Sequence, residues 1–210
     1  MSRVERGRGE RGVAIVEMAL VSPILFTLLL GVFEYGLVYR DLLTAADAAN
    51  DGSRVGSQQG NDVLVTGATA DYTIVDAVRM GLAGLDPESI ERIVVYQAGP
   101  PSDGSPLAQV PAACLTGGSS SANACNVYLP ATAFLAIQDG DTEFFDCVDV
   151  GDPACGWDPT TRVDGPTVAD IEYLGVYVQV RHDYLTGLFG SAFDIERASI
   201  TRLEPGDLSG

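Results

Sequence analysis

Lysine is absent from this chain of 210 residues; its 12 basic residues are all arginine, set against 29 acids. That speaks of an arginine-preferring, GC-rich coding bias more than of chemistry. Histidine occurs once, at His182. There is no Gly-x-Ser-x-Gly elbow, no His-Glu-x-x-His and no phosphate loop. Nothing nucleophilic or metal-ligating is clustered, so the pattern points away from an enzyme. No catalytic, cofactor-binding or metal residue is assigned. No internal repeat is visible. Charge is missing from Met18 to Phe33, a run of 16 residues. Cysteine is missing from everything before residue 114.

The charge that is present is unevenly split. Residues 1–12 hold four Arg and two Glu, a net of +2, whereas residues 41–210 hold 7 Arg and 25 acids, a net of −18. Such an acidic domain does not bind nucleic acid or anionic lipid through bulk electrostatics. An acidic solvated surface keeps an exported domain soluble. One membrane segment and one extracytoplasmic domain is the natural count for this length.

Val13 to Tyr39 spans 27 residues. As a helix it is about 40 Å long, against an apolar bilayer thickness of about 30 Å. Arg3, Arg6, Arg8 and Arg11 precede it, which predicts a cytoplasmic N-terminus and an outside location from about residue 41. Tyr35 and Tyr39 stand where an aromatic interface belt is expected. Pro23 removes the bond to the Ala19 carbonyl and is expected to kink the helix. Glu34, near the outer boundary, is expected to reach interfacial water, with a subunit contact as the other reading.

Three readings fit the segment. A cleaved secretory signal could end at Ala46-Asp47-Ala48, but Glu34, Arg40 and Asp41 intervene. A plain anchor explains the apolar run but gives Glu17 no purpose, although an ionisable residue inside an apolar span is expensive. The third reading uses Gly12, Val13 and Glu17, where Glu17 is the fifth residue after Gly12. This resembles a type IV pilin-like signal: a short basic leader ending in Gly, then an apolar helix with Glu at its fifth position. The resemblance implies peptidase cleavage between Gly12 and Val13. Glu17 can then neutralise an N-terminal ammonium, its own or a neighbour's, in a low dielectric.

The stretch Gly12-Val13-Ala14-Ile15-Val16-Glu17-Met18-Ala19-Leu20-Val21-Ser22-Pro23 further resembles TadE-like pseudopilins, the minor pilin-like proteins of tight-adherence (Tad, or Flp) pilus systems. So do Gly31-Val32-Phe33-Glu34-Tyr35-Gly36 and Asn50-Asp51-Gly52-Ser53-Arg54. The likeness covers roughly residues 11–56, and weakly the end at Arg202-Leu203-Glu204-Pro205. Residues 99–167 have no counterpart in it. The Asp-x-Ser-x-Ser motif of the longer TadG-like relatives is absent. The resemblance implies an assembly role in a pilus or secretion machine, and a part in adhesion. Its implied partners are a prepilin peptidase, other minor and major pilins, an inner-membrane assembly platform and the membrane. The rival class is a single-pass anchored domain that binds a ligand or calcium. Asp139, Asp141 and Glu143 alternate like a calcium loop, but lack the spacing and closing Glu of a helix–loop–helix site.

The rest of the chain predicts an α+β domain: a long N-terminal transmembrane helix extended into an exported domain with an antiparallel sheet and a second helix. The division is 1–12 leader, 13–40 membrane helix, 41–210 extracytoplasmic domain. Leu42, Leu43, Ala45, Ala46, Ala49 and Val55 continue the helix with a small-apolar stripe, and Gly56 and Gly60 are expected to end it. A second helix is predicted near 68–84, strands at 90–97, 171–183 and 194–203, and a long loop over 99–126. Residues 127–137 fit strand or short helix. His182 is expected to be exposed on its strand. Cys114, Cys125, Cys147 and Cys155 predict two disulfides; three pairings are possible. The local pairs Cys114–Cys125 and Cys147–Cys155 are favoured, each loop contributing about 2–3 kcal/mol. Zinc is the sharper alternative, without C-x-x-C spacing and with His182 remote.

Overall fold

The computed structural model describes residues 9–59, 69–99, 109–116, 120, 122, 124–147, 155–162 and 172–204. The leader arginines Arg3, Arg6 and Arg8, with Gly60 and Pro205, lie outside the described residues, as do much of the 99–126 loop and most of 148–171.

Helix α1 runs from Gly9 to Gln59 and passes through Pro23 as one helix. Thr27 Oγ1 donates to the Pro23 carbonyl at 2.8 Å. The chain divides into two compact units. The first joins α1 as far as Arg40 to Asp183–Phe193, a segment that the sequence places with the extracytoplasmic domain. The second comprises Asp41–His182 with Asp194–Gly210.

In the second unit, α2 (Ala70–Gly81) buries Ile74, Val75 and Val78, the three- to four-residue spacing of one helical face. Strands β1 (Ile90–Ala98), β2 (Cys125–Tyr128), β3 (Tyr173–Asp183) and β4 (Ala192–Arg202) form one antiparallel sheet in the order β2-β1-β3-β4. The register pairs Val95 with Val176 and Val94 with Val127. The ambiguous stretch at 127–137 is both things in turn. β2 ends at Tyr128, and Pro130 opens α4 (Pro130–Asp139), which Gly140 closes in the left-handed conformation at φ +70°. A short α3 (Ala112–Thr116) lies within the expected loop.

Alternation along β3 puts Leu174, Val176, Val178 and Val180 into a core shared with α1, α2 and α4. Tyr177, on the opposite face, joins Val94, Tyr96, Cys114 and Cys125 in a second, smaller cluster. Cys114–Cys125 and Cys147–Cys155 are disulfides, with Cα atoms 6.4 and 5.5 Å apart.

The extension of α1 packs through small residues. Ala45, Ala48, Ala49, Gly52, Ser53 and Gly56 are buried, while Leu43 is exposed. Gly56 lies inside the helix rather than ending it. A Cβ there would stand 2.9 Å from Leu174 Cδ2 and 3.0 Å from Ile74 Cδ1, so glycine serves close approach. On the α2 side, a Cβ on Gly81 would stand 2.9 Å from the Ala48 backbone.

Candidate functional site: the apolar helix and its carboxylates

Among the described residues, one helix is long and apolar enough to cross a membrane, and its apolar window has no residue buried within the chain. Val13, Ile15, Val16, Met18, Leu20 and Val21 are all exposed around Glu17, which is itself exposed. An exposed apolar surface of this size marks a membrane or partner contact, and the helix suggests a single-pass membrane anchor.

Gly12 and Val13 are the fourth and fifth residues of α1, both exposed. The first four N–H groups of a helix have no intrahelical acceptor, so the Gly12–Val13 bond lies at the edge of the turn that is easiest to unwind. A Cβ on Gly12 would meet nothing within 4 Å. Glu17 lies one turn beyond Val13 on the same helix, four residues on, where side chains share a face.

The second carboxylate behaves differently. Glu34 is 1% exposed rather than open to water as expected. Its Oε1 accepts the Thr186 N–H at 2.6 Å and the Thr186 hydroxyl at 2.7 Å, and its Oε2 accepts the Leu185 N–H at 3.2 Å. Three donors satisfy an anion that would otherwise be costly at an apolar boundary. Phe189 closes the same contact: its ring meets Tyr35 edge-on at 5.7 Å, and its Cζ would be 3.2 Å from a Cβ on Gly31. Gly31 and Glu34 are thus the helix side of a seat for the β3–β4 turn. The signal in the sequence is the uncharged run Tyr184–Phe193 between Asp183 and Asp194.

His182 is also buried, contrary to expectation, because Asp41 Oδ2 lies 2.7 Å from its Nδ1.

A third polar group is wholly internal. Arg162 Nη2 contacts Asp71 Oδ1 at 2.6 Å with both side chains fully buried. Asp71 Oδ2 accepts from Asn126 Nδ2 and from the Tyr128 hydroxyl, each at 2.7 Å. Asn126 Oδ1 in turn accepts the N–H of Gly156 and Trp157, and Arg162 stacks on Trp157 at 4.2 Å. This pins the segment after Cys155 to α2 and β2. Burial, with Asp71 adding to it, pushes the Tyr128 hydroxyl well above the usual tyrosine range.

The stretch from Asp139 to Glu143 carries a turn: Asp141 Oδ1 accepts the Phe144 N–H at 3.3 Å. Among the described residues no group of three His, Cys, Asp or Glu is placed to hold a metal ion. Asp51, Arg54, Val55 and Gln58 of α1 line an open groove of about 410 Å³ with Ala77 and Met80 of α2. In the Asn50–Arg54 stretch, Gly52 and Ser53 thus face the core, and Asp51 and Arg54 face out.

Residues 12–54 match the family model of TadE-like proteins. The matched segment takes in Gly12, Val13, Glu17, Gly31, Glu34 and the small-residue face of α1 as far as Ser53. No curated protein and no solved structure matches the chain.

Proposed function

We propose that the chain is a pilin-like assembly component of a Tad/Flp-type pilus or secretion machine. The observation that carries this is the TadE-like match falling on a helix with an 18-residue apolar stretch of which nothing is buried within the chain. A helix of this kind is retained as anchor and packing element. A prepilin-type peptidase cuts between Gly12 and Val13, at the edge of the helix's first turn. The new Val13 ammonium then pairs with Glu17, its own or a neighbour's, which sets register between subunits. The leader stays cytoplasmic, and the domain from residue 41 lies outside, in keeping with the arginine stub. There it meets other minor and major pilins, and the span meets the assembly platform in the membrane. The groove lined by Arg54 and Met80 is the surface we assign to subunit contact.

The test is Glu17→Ala expressed in place of the native chain. The ectodomain is expected to fold and reach the membrane, and pilus assembly to stop. Normal pili with this variant would remove the role given to Glu17.

A further inference from the structure

We propose that the β3–β4 tip is a second membrane contact, dipping into the outer boundary of the bilayer that α1 crosses. The proposal rests on α1 spanning a membrane, not on the pilus assignment.

Depth comes first. The charge-free run Met18–Phe33 is about 24 Å long as a helix, and Gly31 lies two residues, or about 3 Å, inside its outer end. Phe189 packs on Gly31, and Tyr35 packs on Phe189. The tip is therefore held at the level where hydrocarbon gives way to headgroups.

Chemistry comes second. Ten consecutive residues, Tyr184 to Phe193, carry no charge, in a domain whose net charge is −18 over residues 41–210. Within them Leu185, Leu188, Phe189 and Phe193 are 70, 54, 43 and 46% exposed. Four exposed large apolar side chains on one short turn and the first residues of the strand after it are not a solvated loop. The surface continues that of the helix beside it, where Leu30 and Val32 are also exposed. Amphipathic and aromatic side chains are favoured at this depth.

The polar backbone is also dealt with. Glu34 accepts the N–H groups of Leu185 and Thr186, and Tyr184 N–H bonds to the Ser191 carbonyl at 3.1 Å. Irregular backbone is tolerated at membrane depth only where such groups are satisfied. Glu34 thus does two things at once: its carboxylate oxygens are satisfied by donors, and those donors are kept from lipid.

All four native cysteines are in disulfides, so an introduced cysteine is the only thiol to label. The full chain with Leu188→Cys, carrying a nitroxide, is reconstituted in phosphatidylcholine vesicles containing a minor fraction of phosphatidylglycerol. Accessibility to oxygen and to a water-soluble nickel chelate is measured by power saturation. Val32→Cys on the helix and Glu88→Cys on an exposed turn are the references. The expected result is an oxygen-to-nickel ratio at Leu188 several-fold above that at Glu88 and close to that at Val32. A Leu188 label as open to nickel as Glu88 overturns the proposal. So does a label shielded from both reagents, which would mean that a second copy or another protein covers the tip. A Val32 label open to nickel would remove the span itself and the proposal with it.

Discussion

Thr186 places its backbone N–H 2.6 Å from the carboxylate of Glu34, 152 residues earlier in the chain. Hydrogen bonds to a charged acceptor contribute about 1.5–3 kcal/mol each. Glu34→Ala is therefore expected to speed amide exchange at Leu185 and Thr186 by about 10–100-fold, while the Val94 amide in β1 keeps its protection. Hydrogen exchange of the full chain in vesicles reads both. Unchanged exchange at Thr186 would show that Phe189 alone seats the tip.

The elements with strong periodicity were legible from the residues. The face formed by Val75 and Val78 places α2, and the alternation of Leu174, Val176 and Val178 places β3. Gly56 reads as a helix end in the sequence because a glycine needed for close approach and one needed for a cap look alike there. Only the Leu174 and Ile74 side chains standing opposite it distinguish the two. Glu34 and His182 were expected in solvent because their partners lie 152 and 141 residues away. Burial of a polar group depends on what the fold brings to it. Gly12, Val13 and Glu17 were visible because the chemistry they suggest is local: one turn of helix holds all of it.

Close packing between α1 and α2 gives a second prediction. Gly81→Ala drives a methyl against the Ala48 backbone, which cannot rotate away. Overpacking costs about 1–3 kcal/mol, more than the helix propensity that alanine gains. The melting temperature should fall by about 2–8 °C. Gly84→Ala, with nothing within 4 Å, should leave it unchanged. Calorimetry of the two variants side by side decides it.

The buried Asp71–Arg162 pair gives the third. Arg162→Met leaves the Asp71 carboxylate without its cation in the interior. Removing one member of a buried pair costs about 3–5 kcal/mol. Urea unfolding should show a loss of that order, and Asp71→Asn combined with Arg162→Met should recover part of it. Full additivity in the double variant would mean that the two side chains are not coupled.

Alkaline pH supplies the fourth. Burial raises Tyr96 to about 12 from the ordinary 10.0, and also raises Tyr177 and Tyr128 well above the ordinary value. The folded chain therefore holds these protons more tightly than the unfolded chain. Their contribution is fully present below the ordinary tyrosine value of 10.0 and is lost as pH climbs through the folded values. Stability should fall with rising pH in that window. After a rapid pH jump, three of the eight tyrosines should ionise only as the near-ultraviolet circular dichroism is lost. Ionisation of all eight with the fold intact would contradict the burial of these three.

The central claim is that Gly12–Val13 is a processing site and that Glu17 receives the amine it releases. Gly12 has open space around it, so Gly12→Val should block cutting without disturbing the fold. The most direct measurement is the intact mass and N-terminal sequence of the chain purified from its native membrane, beside Gly12→Val. The account predicts a native chain beginning at Val13 and a variant that keeps its leader. A native chain that still begins at Met1 or Ser2, in cells with a working prepilin peptidase, would contradict it and leave a plain anchored domain.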